Sequence, residues 1–171
     1  MRGPILAACL LIGAGPVTAA DCALDKIETA LAAPLDDLKQ LDRDVTDVQS
    51  TEGGTWRIFR EGDGRVHTIM RIDGGESGMS ERRLSIVNRQ TYGIVVTRVD
   101  YMRHAFIENA GPNGTARRTT EYYYYCAGKL YVPPADYSML DAGAYTKAGN
   151  DAQSTMIRDK DVADFTKGLA R

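Results

Sequence analysis

Histidine is nearly missing from this 171-residue chain: His67 and His104 are the two present. They are separated by most of the strand-rich region, and neither forms an i, i+4 pair. The cysteines contain no C-x-x-C. The sequence therefore lacks the tight ligand pairs that a zinc site requires, and no metal or cofactor is expected. Asp42 and Asp44 alternate as in a calcium loop, but Val45-Thr46 follow where a glycine bend is needed, so a solvated acidic face is expected there. Positive charge is not in excess either. With 21 Lys and Arg against 23 Asp and Glu, no basic stripe is available to displace counterions from phosphates, which argues against nucleic acid and anionic lipid as partners. The nearest approach to a hydrolase nucleophile elbow is Gly75-Glu76-Ser77-Gly78, but Met79 stands where the last glycine belongs. That segment is also expected between two strands, not on a strand-to-helix turn. The glycines fall in hairpin turns, so a phosphate-cradling loop is not expected. Beyond the first twenty residues there is no long apolar run, and no integral membrane segment is expected in the mature chain.

The first twenty residues, MRGPILAACLLIGAGPVTAA, have the form of a secretory signal peptide. Arg2 supplies the positive start, Ile5 to Ile12 a short apolar run, and Val17-Thr18-Ala19-Ala20 the small residues before cleavage. Residues 1–20 are read as the signal and 21–171 as one exported domain, periplasmic or secreted. Lipidation is not expected: no apolar stretch precedes Cys9, and Asp21 occupies the position before Cys22. Loss of the signal removes Arg2 alone among the charged side chains. Twenty basic residues then face 23 acidic ones, for a formal charge of −3.

Cys9 leaves with the signal, which leaves Cys22 and Cys126. Two cysteines in an oxidising compartment most often pair. Closing a loop of roughly a hundred residues stabilises by about 4–5 kcal/mol in the chain-entropy account. A free thiol in the core and a redox site are the alternatives, the latter without a C-x-x-C to support it.

The mature length suits one α+β domain. Leu24, Ile27 and Leu31 recur at helical spacing; Asp21 is a candidate cap and Pro34 a stop. Leu35, Leu38, Leu41, Val45 and Val48 continue the spacing and predict a second helix. From Glu52-Gly53-Gly54 the period becomes two. Strands are expected over 55–60, 65–73, 81–87, 91–101, 118–126 and 129–132. The turns between them include Glu61-Gly62-Asp63-Gly64, Asn88-Arg89-Gln90 and Ala127-Gly128, and Ala110 to Gly114 reads as a loop. Short connections imply an antiparallel meander of five or six strands. Ala135 to Asn150 reads as loop. A last helix is expected near 159–169, where Val162, Phe165 and Leu169 share one side. The two amino-terminal helices and this one are expected on a single face of the sheet.

The run STEGGTWRIFREGDGRVHTIMRIDGGESGMSERR (50–83) and TEYYYYCAGKL (120–130) carry a likeness. Their Glu52-Gly53-Gly54 strand entry, Gly75-Glu76-Ser77-Gly78 link, Glu81 and Tyr-rich strand resemble a group of small exported bacterial proteins of unknown function. Ser85 and Val87 stand where that group usually has aromatic residues, and the tail is longer. The resemblance covers about half the mature chain. It implies an exported α+β protein and transfers no activity.

The stretch TTEYYYYCAGK (119–129) is the most unusual. Side chains alternate across a strand, so Tyr122 and Tyr124 share a face with Cys126, and Tyr123 and Tyr125 share the other. If Cys126 pairs with Cys22, the Tyr122 face meets the helices. Tyr123 and Tyr125 then line the open face beside the arginines, with Arg71 and Arg83 as neighbours. Arg57, Arg65, His67 and Arg98 are expected on the polar face as well. Ladders of Arg and Glu ordinarily only solvate a sheet, whereas Arg with Tyr also marks partner surfaces. The expected function is a non-catalytic binding, inhibitor-like or accessory envelope protein whose partner is another envelope protein or a glycan. The alternatives are a small periplasmic hydrolase with a site near Glu76, His67 and His104, and a structural envelope component.

Overall fold

The period-two pattern becomes a single seven-stranded antiparallel sheet with strands in sequence order, β1 to β7. The structure is a computed structural model, and it describes residues 22–47, 52–102, 114–133 and 141–170. Helix α1 (Leu24–Ala32) leads into β1 (Lys39–Asp44), β2 (Gly54–Arg60), β3 (Val66–Gly75), β4 (Gly78–Asn88), β5 (Thr91–Tyr101), β6 (Thr115–Cys126) and β7 (Lys129–Tyr131). Helix α2 (Ala142–Arg158), a 3-10 turn (Lys160–Val162) and α3 (Ala163–Thr166) complete it. The α+β meander is as expected, with seven strands where five or six were predicted.

The predicted second amino-terminal helix is instead the edge strand β1. Lys39, Asp42, Arg43 and Asp44 make it charged and exposed throughout, a composition that protects a sheet edge from further pairing. It pairs with β2, placing Leu41 opposite Ile58 and Arg43 opposite Trp56. Just beyond β1, Thr46 donates through N–H and Oγ1 to the Asp161 carboxylate, both at 2.7 Å. Arg43 stacks 4.5 Å from the centre of the Phe165 ring. These contacts tie the edge strand to the carboxy-terminal turns.

The helices divide between the two faces, contrary to the single layer expected. Helix α1 packs against β4 and β5. Ile27 and Leu31 bury there with Cys22, Cys126 and Tyr131. Gly93 lets the helix sit close: a Cβ there would lie 2.5 Å from Ile27 Cγ2 and 2.8 Å from Leu31 Cδ1. A disulfide joins Cys22 to Cys126, with Cα atoms 5.5 Å apart. The larger core lies on the other face, where Trp56, Ile58, Ile69, Leu84, Ile94, Tyr92, Tyr123 and Tyr125 meet Tyr145, Met156 and Ile157 of α2. Helix α2 starts inside the stretch read as loop, capped by the Asp141 side chain accepting from Gly143 N–H. The helix expected over 159–169 is the short 3-10 turn and α3. Among the described residues, no helix is long and apolar enough to cross a membrane.

Candidate functional site

The tyrosine strand separates the two faces. Tyr123 and Tyr125 are 1% and 0% exposed, which corrects their expected role as a contact surface. The parity was right, but α2 covers their side. Tyr125 donates to Gly149 O at 2.6 Å and stacks on Tyr92 with ring centroids 4.9 Å apart. Tyr145 of α2 donates in turn to the backbone oxygen of Tyr122. Tyr122, expected in the core, is half exposed.

Helix lengths explain the reversal. Helix α1 has nine residues, about 13 Å of helix. Strand β6 has twelve, about 40 Å of strand. Anchored at Cys126, α1 roofs only that end of the sheet. What remains is a groove of about 500 Å³, walled by Glu28, Leu31 and Ala32 and floored by three strands. The register sets its floor in rows. Arg83 lies opposite Val95, and Val95 opposite Tyr122; Glu81 lies opposite Thr97, and Thr97 opposite Thr120. Arg118 and Tyr124 extend the β6 side.

The groove's polar groups are partly fixed. Arg83 donates from Nη2 to Ala33 O at 2.9 Å and from Nε to Ser85 Oγ at 3.3 Å. Its burial holds its pKa below the usual arginine value, and Glu81 opposes that shift. The Tyr124 hydroxyl points toward Glu28 at 3.5 Å. Burial first, and the Glu28 charge second, push its pKa up. The lining has aromatic faces, hydroxyls, carboxylates and guanidinium groups but no histidine or thiol, a set suited to recognition.

The arginines do not share one face. Arg71 and Arg98 are on the α2 side, in line with Ile69 and Tyr123, whereas Arg57 and Arg83 are on the α1 side. Arg71 is buried, lies over the Trp56 ring and donates to both oxygens of Asp73 at 2.9 Å. A register shift between Phe59 and Arg60 turns Val66 toward the larger core. Of the alternative hydrolase residues, His67 is beside Thr68 at the start of β3. Glu76 occupies the turn after β3, so the two stand about 30 Å apart along the strand. His104 is outside the described residues, as is Asp21, the expected cap of α1. Ser77 is in the β3–β4 turn, where its carbonyl accepts from Tyr101 N–H at 2.8 Å. Among the described residues there is no group of three or more His, Cys, Asp or Glu able to hold a metal ion. Tyr122, Thr97, Thr120 and Arg118 were missed as site residues. Part of the signal was available: a helix stopped before Pro34 is too short to cover strands of eleven or twelve residues, although not which face it covers. No family model, curated protein or solved structure matches the chain.

Proposed function

We propose that this is an exported, non-catalytic binding or accessory protein of the cell envelope, and that it offers the open half of the α1 face to a partner protein. The observation that carries the reading is the placement of Tyr122 and Tyr124 beside Arg83 and Arg118 in one groove on a rigid sheet. Aromatic residues with arginine are the side chains that most often dominate interface energies. The Cys22–Cys126 disulfide suits an oxidising compartment, in keeping with the signal-like start and the likeness to small exported proteins. The test uses residues 21–171 as bait in an envelope extract of the source organism, beside a Tyr122→Ala/Arg118→Ala variant. The reading expects a partner held by the parent chain and lost by the variant at unchanged melting temperature. Identical captures would contradict it.

A glycan is the second reading, favoured by the Thr97 and Thr120 hydroxyls, 3.4 Å apart, beside the Tyr122 ring. Binding of purified cell-wall fragments, abolished in the same variant, would transfer the assignment to it.

A further inference from the structure

The opposite face carries a second cavity, of about 390 Å³, between β3, β4 and the carboxy-terminal half of α2. Arg71, Arg82 and Arg158 meet Asp47, Asp73 and Asp159 in its lining, so formal charge alone suggests balance. The bonding pattern does not balance. Asp73 receives Arg71 Nε on both oxygens and Arg82 Nη1 on Oδ2, all at 2.9 Å. Asp159 accepts from Arg71 Nη1 at 3.3 Å and from Asp161 N–H at 2.9 Å. Both carboxylates are thus occupied, chiefly by the buried Arg71.

Donors remain. Among the described residues, Arg82 uses only Nη1, on Asp73, and its fork has further N–H groups. Burial, together with the neighbouring Arg71 and Arg98 charges, lowers its pKa despite Asp73. Arg158, at the end of α2, has an exposed guanidinium with no side-chain partner among the described residues. Ser80 Oγ lies at the cavity floor, nearly sealed from solvent, and also lacks a hydrogen-bond partner among the described residues. Ser154 adds a hydroxyl from α2. A buried hydroxyl without a partner is destabilising, and an oxygen ligand would relieve it. Two guanidinium groups with serine hydroxyls, lining one cavity, are the donor types that recognise a compact oxyanion.

We propose that this cavity binds a compact oxyanion, a phosphate or carboxylate group, between Arg82 and Arg158 with Ser80 as a buried donor. The site is independent of the groove on the α1 face. Asp47, exposed at the mouth, is the one lining carboxylate that no arginine side chain among the described residues engages, and it opposes entry.

The experiment measures binding of inorganic phosphate and of citrate by calorimetry at fixed ionic strength, with chloride as the balancing salt. Saturable binding of phosphate, of citrate or of both is expected, and which of them binds assigns the class. Arg158→Ala removes an exposed side chain and should leave the melting temperature unchanged. It is expected to weaken binding about tenfold, the loss of one charge-assisted hydrogen bond. Ser80→Ala should weaken it less, and Asp47→Asn should tighten it. Absence of saturable binding of either ion would overturn the proposal. So would equal affinity in the parent chain and Arg158→Ala.

Discussion

Tyr122 and Tyr123 are adjacent, identical in chemistry and opposite in circumstance. Tyr123 is closed in by α2, with its ring 5.1 Å from that of Tyr145 and its hydroxyl donating to Glu121 at 3.1 Å. Tyr122 stands half exposed at the edge of a groove. What differs is the helix above each. Helix α2 runs for 17 residues and brings Gly149 against the sheet; α1 runs for nine and is held at one end by a disulfide. A face covered along its length becomes core, and a face covered at one end keeps a groove. Residue type predicts neither outcome; the reach of the covering helix does.

The comparison can be broken at several depths. The deepest cut is Cys22→Ser with Cys126→Ser. It releases a loop closed across 104 residues and should cost about 4–5 kcal/mol in the chain-entropy account. Hydrogen exchange should then show the amides of α1 losing protection before those of α2. Uniform loss would mean that the two faces are not independent. Next is Tyr125→Ala, which removes a fully buried ring and should cost about 3–5 kcal/mol by denaturant unfolding. Tyr122→Ala should stay within about 0.5 kcal/mol. Similar losses for the two would erase the distinction.

Glycine substitutions sharpen the contrast further. Gly93→Ala drives a Cβ toward Ile27 and Leu31 of a helix held by the disulfide, and should destabilise by about 1–3 kcal/mol. At Gly149 a Cβ would meet Leu130 Cδ2 at 2.7 Å, the end of a side chain able to turn, but also Tyr123 Cδ1 at 3.1 Å, part of a buried ring. The helix gains about 0.5–1 kcal/mol from alanine over glycine, which offsets part of that crowding, so Gly149→Ala should cost less than Gly93→Ala in the same assay.

The α2 face should also respond to alkali. Burial raises the pKa of Tyr145 to about 12, and burial followed by neighbouring charges raises those of Tyr123 and Tyr125 further. Each folded value lies above the ordinary tyrosine pKa of about 10. Stability from keeping these phenols neutral is therefore complete below pH about 10 and is lost as pH rises through the folded values. Tyrosinate absorbance and loss of α2 helicity should rise together. Full tyrosine ionisation with the helix intact would contradict the burial.

Much of this was legible in the residues. Alternation located β2 to β6, and Asp-Gly and Ala-Gly marked turns. Leu24, Ile27 and Leu31 placed α1, and two cysteines anticipated the disulfide. Strand β1 was hidden because KQLDRD is polar on both sides, so an edge strand shows no alternation, while nearby leucines happened to fall at helical spacing. Helix α2 was hidden by its Ala, Gly, Asn and Asp content. Yet Tyr145, Gly149, Gln153 and Ile157 recur every four residues and are all buried. The open groove required knowing which helix covers which face, and that depends on contacts far apart in sequence. The pairing of β6 with β5 and the return of α2 onto Tyr123 belong to the fold, not to any local pattern.

One face of the tyrosine strand is closed and the other open. Nitration of the native protein with tetranitromethane, mapped by mass spectrometry, tests it most directly. Tyr122 should be modified well ahead of Tyr123 and Tyr125, which should react only after unfolding. Modification of Tyr123 or Tyr125 in the folded protein as fast as Tyr122 would contradict the account.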